Sequence, residues 1–126
     1  MSDGFLLRGG LAVVDSGTDE QWTWYKLSNG VAICYGTLAF GVAITNPWGS
    51  VYSSADKPGS YNYPEGLFVS TPVSMMSLDY SGLNCWLVTS TQATKGHTQG
   101  VQFVRPTSEV MTYGQLFNFS IGRWKA

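Results

Sequence analysis

The sequence predicts a small all-β domain, an antiparallel β-sandwich. Three observations lead to it. The length of 126 residues suits one domain. Gly, Pro, Asn and Asp recur between short β-rich runs at intervals of roughly eight to twelve residues, which is typical of a sandwich or barrel. No apolar stripe with the 3.6-residue period of a helix is long enough to matter.

The N-terminal residues 1–20 differ from the rest. Several glycines and four acidic residues surround a short apolar patch at residues 11–14. This composition predicts an arm, or a junction to a longer protein, in which the patch pairs with a neighbouring strand. We expect the folded domain to occupy residues 21–126.

The first predicted element is a β-hairpin. Its strands are residues 22–27 and 31–40, and Ser28, Asn29 and Gly30 form the turn between them. Asn-Gly between two β-rich runs predicts a type I′ turn, because both residues tolerate a positive φ. The two-residue period places Trp22 and Trp24 on one face and Tyr25 on the other. Both faces therefore carry aromatic rings.

The remaining strands follow from the same signals. Asn-Pro and Gly predict a turn at residues 45–49, and the longest loop spans residues 56–66. Further loops are expected at 81–83, 92–99 and 105–113. The predicted strands are 41–44, 51–54, 73–80, 84–91, 100–104 and 115–124.

Charge is scarce in this chain. Charged residues are 12% and aromatic residues 14% of the sequence, whereas about 25% charged residues is usual. Either neutral polar side chains or partner subunits must cover the surface. Because aromatic rings on both hairpin faces need more buried area than one sandwich interior offers, we expect symmetric self-association, as a homotrimer.

The same composition argues against several partners and locations. A net charge of −1 provides no basic excess for binding nucleic acid or an anionic membrane. No apolar run approaches the roughly 20 residues of a membrane-spanning helix, and the first residues do not resemble a signal peptide. We expect a soluble chain that is made in the cytoplasm without a signal peptide.

The two cysteines lie in separate β-rich runs. Cys34 and Cys85 belong to no Cys-x-x-Cys motif, so no metal or cofactor is expected. Two buried thiols that act as small apolar groups are the favoured interpretation. A disulfide between them is the alternative interpretation.

Two segments resemble a known family. Residues 22–37 resemble the opening, and residues 119–125 (FSIGRWK) the ending, of C-terminal domains in phage tail-fibre and minor structural proteins. The resemblance covers about residues 20–126. It implies a receptor-binding module at a tail tip, which would be extracellular after lysis.

A second resemblance concerns the layout. Residues 63–73, a Thr-rich strand, residues 100–103 and the closing strand are similar to the H-type lectins. That family forms antiparallel sandwiches that trimerise and bind sugars between subunits. The sequence departs from the phage pattern at Tyr35, because the family has Trp at this position after the cysteine. The resemblance implies a fold and a trimer, and does not extend to individual sugar contacts.

Candidate ligand-binding residues come from the predicted loops. Tyr61 and Tyr63 in the long loop, and Trp48 in the short turn, could pack against sugar rings, while Asp56 and His97 could bind hydroxyl groups. Alternatively, the three aromatic residues close the ends of the core, which is favoured for Trp48. The tryptophans in predicted strands, Trp86 among them, are interpreted as core or subunit contacts.

Catalysis is not expected. His97 has no neighbouring nucleophile motif or metal-binding spacing. Asp56 and Glu65 are more readily explained as loop carboxylates than as a glycosidase pair. The sequence predicts adhesion to a bacterial surface glycan, with a structural fibre-capping domain and a secreted bacterial lectin as alternatives.

Overall fold

The computed structural model describes residues 10–54, 61–79 and 84–126. It is all-β, with about 67% strand and one antiparallel sheet, and the described residues contain no α-helix. The eight strands are β1 (Val13–Asp19), β2 (Trp22–Leu27), β3 (Val31–Trp48), β4 (Val51–Ser54), β5 (Val73–Asp79), β6 (Trp86–Thr91), β7 (Gly100–Arg105) and β8 (Glu109–Arg123).

A long two-stranded ribbon of β3 and β8 organises the sheet. Its pairing runs from Val31 opposite Arg123 to Ile44 opposite Glu109. The first half of β3 also pairs with β2, which pairs with β1. The end of β3 pairs with β4, and the sheet continues to β7 and β6. Strand β5 lies on the outer edge of β8, so the sheet branches from one shared ribbon.

The two faces of the ribbon differ as the strand period requires. Along β3, Ala32, Cys34, Leu38 and Ile44 are buried, whereas the odd-numbered side chains are exposed or half-buried. Packed aromatic pairs extend the core between the branches. Phe40 stacks on Phe103 with ring centroids 4.7 Å apart, and the ring of Tyr63 contacts the rings of Trp22 and Phe68.

The first hairpin is confirmed, but its predicted turn type is wrong. Strands β2 and β3 pair antiparallel around Ser28, Asn29 and Gly30. Gly30 has a φ of 92°, but Asn29 is not among the described residues with positive φ, although a type I′ turn requires it there. The amide of Gly30 donates to the carbonyl of Leu27 over 3.0 Å. This is a three-residue loop with a left-handed glycine, another common hairpin geometry.

Two strands are longer than the sequence suggested. Strand β3 continues through the predicted turn to Trp48, with Pro47 paired to Tyr52. Pro47 lies beyond the last β3–β8 pair, where no strand of the described residues pairs with that edge of β3, and proline is tolerated at such edges. Strand β8 begins at Glu109, inside a predicted loop, because that end pairs with distant residues of β3.

The segment assigned to the arm also contributes to the sheet. Strand β1 pairs with β2 along its length, and the amide of Ser28 donates to the carbonyl of Ala12 over 2.8 Å. Glu20 begins the turn that follows β1 and has a φ of 58°, which is an unfavourable conformation for a residue with a Cβ.

Candidate functional site

Three of the predicted binding residues come together. The segments that contain Tyr61, Tyr63 and His97 run side by side, with Asn62 bridged to His97. The amide of Tyr63 donates to the carbonyl of Gly96 over 3.0 Å, and the amide of Thr98 donates to the carbonyl of Tyr61 over 2.8 Å. The sequence signal that found both loops was their content of turn-forming and aromatic residues.

Tyr63 belongs to the core. Only 6% of its surface is exposed, and its ring lies against Trp22 and Phe68. Burial raises the pKa of its hydroxyl, which hydrogen-bonds to Ser120 over 2.7 Å. Its ring therefore offers no open face to a sugar.

Tyr61 and His97 are half-buried and held by backbone groups. The Tyr61 hydroxyl donates to the carbonyl of Ala39 over 3.3 Å, and burial raises its pKa. Nδ1 of His97 lies 2.9 Å from the carbonyl of Thr98. Because a carbonyl can only accept, Nδ1 carries a proton and donates it to this bond. These two backbone carbonyls therefore hold the side chains of Tyr61 and His97 in place.

The other predicted residues lie elsewhere. Trp48 is 57% exposed at the end of β3, outside the core that was favoured for it, and Trp86 is 52% exposed. Asp56 lies outside the described residues. Glu65 is exposed in the loop. The Arg123 guanidinium donates to backbone carbonyls, which gives it a structural role.

A polar cleft of about 480 Å³ lies beside this loop pair, between the start of β5 and the β6–β7 connection. Sequence reasoning missed it, because its walls come from segments distant in the chain. The density of Thr and Gln in residues 89–99 was the one available signal. Its polar lining residues are Thr71, Ser74, Thr89, Gln92 and Gln99.

Gln99 connects the two walls of the polar cleft. Its Nε2 donates to the backbone carbonyl of Ser74 over 3.2 Å. Since that carbonyl can only accept, the amide nitrogen is the atom that faces Ser74. The amide oxygen Oε1 is buried and accepts no hydrogen bond from any residue that the structure describes.

A buried row of hydrogen bonds leads from the core to the polar cleft. Nδ2 of Asn118 donates to the carbonyl of Met75 and to Oγ of Ser74, over 3.1 and 2.9 Å. The oxygen of that amide therefore faces Ser120, whose hydroxyl donates to it over 2.6 Å. The hydroxyl of Tyr63 must then donate to Ser120. Buried polar groups with defined partners fix a single geometry, here at the wall of the cleft.

A second surface feature is an apolar face on the outer side of β3, β8 and β5. Met75 lies opposite Phe119, and Phe119 opposite Tyr35, in one cross-strand row. The side chains of this apolar face are between 39% and 64% exposed, and a groove of about 480 Å³ runs among them. The face consists of Tyr35, Val73, Met75, Phe117 and Phe119.

Reactive groups are few in the described ranges. No cluster of three His, Cys, Asp or Glu residues suited to a metal ion occurs there. Both cysteines are free thiols. Burial, with a smaller contribution from Asp19, raises the pKa of Cys34 to about 12, and burial raises that of Cys85. Nor does this part of the chain contain a helix able to cross a membrane.

Comparison of the chain with protein-family models, with curated proteins and with solved structures finds no match.

Proposed function

We propose that this chain is a non-catalytic, homotrimeric receptor-binding module of a phage tail-fibre tip that adheres to a bacterial surface glycan. The observation that carries the proposal is the apolar face. A contiguous exposed apolar patch of a few hundred Å² often marks a surface that binds a partner. A module that assembles with copies of itself would bury the side chains of this face in the interface.

The area of the apolar face is that of an interaction patch. Its five side chains expose roughly 370–610 Å², taking about 150–250 Å² as the full area of each. This is comparable to the roughly 300–600 Å² of the largest patch on a typical monomer. Half-buried neighbours such as Ile33 and Ile121 flank it, and surrounding polar surface would supply the rest of the about 800 Å² that each partner contributes to a stable interface.

The sandwich and the trimer rest on the turn spacing, on the scarcity of charge and on the resemblance of residues 63–73, 100–103 and the closing strand to H-type lectins. The tail-tip location rests on the resemblance of residues 22–37 and 119–125 to phage fibre domains. Around a three-fold axis, the apolar face of each copy would pack against both neighbours. Three weak glycan sites on one rigid tip would then reinforce one another, because the second and third contacts form at high effective concentration. Such a module would act at the virion tail tip, outside the cell that made it.

The chemistry of the described residues favours binding over catalysis. The thiol of Cys34, with a pKa of about 12, stays protonated at neutral pH and is a poor nucleophile. His97 is fixed by a backbone carbonyl. By contrast, the polar cleft presents uncharged hydroxyl and amide groups, which suit the hydroxyl groups of sugars.

A structural fibre-capping module is the second candidate, and the apolar face favours it equally. The two differ in ligand binding. We would measure the mass of the full chain in solution by light scattering and screen the same sample on an array of bacterial polysaccharides. A mass near three times 13.7 kDa with saturable glycan binding supports the receptor-binding module. A trimer that binds none supports the capping module, and a stable monomer contradicts both.

A further inference from the structure

We infer that the polar cleft between β5 and the β6–β7 connection is a saccharide-binding site, with Gln99 as its central hydrogen-bonding residue. This inference rests on the proposed function and assigns the glycan to a site distinct from the aromatic loop residues. The cleft volume of about 480 Å³ lies within the roughly 300–1,000 Å³ of small-molecule sites. It has room for a small saccharide or for one end of a longer glycan.

The free acceptor of Gln99 defines the ligand chemistry. A buried amide oxygen that accepts no hydrogen bond destabilises the folded state. Here Nε2 is held by Ser74, so Oε1 cannot rotate away to find another partner without breaking that bond. Oε1 is buried in the free protein, so a sugar hydroxyl would donate to it after a small shift of the side chains that cover it, and the bond from Nε2 to Ser74 would remain intact.

The other polar lining residues complement this acceptor. Thr71, Thr89 and Gln92 are exposed, and their hydroxyl and amide groups can both donate and accept. No lining residue is charged. A neutral polyhydroxylated ligand matches this set better than a phosphate or a carboxylate, which would require a cationic partner.

The polar cleft also contains apolar surface and rigid walls. Pro72 and Ala93 line it and offer non-polar contact for the C–H groups of a sugar ring. On one wall, Ser74 accepts a hydrogen bond of 2.9 Å from Nδ2 of Asn118. On the other, Thr94 accepts from the amides of Gly96 and His97 and so stiffens the connection. Little ordering is then needed when a ligand binds, which favours affinity.

The test uses ¹⁵N-labelled full-length protein titrated with methyl galactoside, methyl mannoside, N-acetylglucosamine and rhamnose. We expect saturable shifts of the side-chain amide signals of Gln99 and Gln92 with at least one sugar. Thr89→Val preserves shape and strand propensity while removing one hydroxyl, and should weaken binding about 3- to 10-fold. Thr18→Val, the same change on the exposed strand β1, should leave binding unchanged.

Gln99→Leu provides a second variant, compared with wild type on immobilised bacterial polysaccharide if no simple sugar binds. Loss of polysaccharide binding by Gln99→Leu and Thr89→Val, with folded spectra, supports the site. Equal binding by wild type and both variants, or shifts confined to residues outside the cleft, overturns this inference while adhesion stands. A wild-type trimer that binds no sugar and no polysaccharide overturns both this inference and the adhesion function.

Discussion

Tyr63 and Ser120 are joined by a buried hydrogen bond of 2.7 Å, although 57 positions separate them in the chain. The tyrosine is the donor, since Ser120 gives its own proton to Asn118. The bond therefore begins a directed row of hydrogen bonds that fixes the polar cleft wall. Within the row, Ser120 both accepts a hydrogen bond from Tyr63 and donates one to Asn118.

Ser120→Ala should lower the free energy of unfolding more than Tyr63→Phe. The alanine leaves both the Tyr63 donor and the Asn118 acceptor unpaired, at a cost of about 1–3 kcal/mol. The phenylalanine removes one donor only, at about 1 kcal/mol. Urea unfolding measures both, with Ser77→Ala on the exposed side of β5 as the control, expected within about 0.5 kcal/mol. The reverse order would contradict the assigned bond directions.

Val73→Lys and Met75→Lys should convert the assembly to monomers. Each places a charge within the apolar face, where association would bury it unpaired. Both side chains are more than half exposed on the edge strand β5, so the single chain should fold unchanged. Light scattering gives the mass and circular dichroism the fold. Val14→Lys, at an exposed position on β1, is the matched control, and an unchanged trimer in the β5 variants would rule out this interface.

Stability should fall as the pH rises from about 9 to about 12. Cys34 has an ordinary pKa near 9 in the unfolded chain and about 12 when folded. Across this window the folded state binds more protons than the unfolded state, so ionisation favours unfolding. Cys34→Ala removes this contribution. Its unfolding free energy should therefore decline less steeply over the window than that of wild type, and parallel profiles would show that Cys34 is not the group involved.

Glu20→Gly should raise the free energy of unfolding by about 0.5–1 kcal/mol. Glu20 has a φ of 58°, which glycine adopts without the Cβ clash. Gln21, the next residue of the same turn, is not among the described residues with positive φ, so Gln21→Gly should instead lower stability. Urea midpoints of the two variants test the turn geometry. A loss of stability in Glu20→Gly would contradict it.

The sequence predicted the parts of the fold whose signals are local. The strands β2 and β4 have the predicted bounds, because β-rich runs with flanking turn residues define them. The extensions of β3 through Pro47 and of β8 to Glu109 could not be predicted in this way. Each depends on pairing with a distant partner, and long-range pairing overrides local turn preference.

In the candidate site, too, local sequence signals predicted some features, and features that depend on distant residues were missed. Turn signals located the loops of Tyr61 and His97. They did not indicate that Tyr63 points inward, because that depends on Trp22 and Phe68. The polar cleft around Gln99 needed a three-dimensional arrangement, since Ser74 reaches it from a segment 25 residues away.

The β3–β8 ribbon has a consequence for how this chain folds. Val31 pairs with Arg123, and even the pair that lies nearest in sequence, Ile44 with Glu109, closes a long loop. Such topologies fold slowly, on the millisecond-to-second scale. Neither branch retains a complete set of neighbours without the ribbon, and heating should therefore produce a single transition in which both halves melt together.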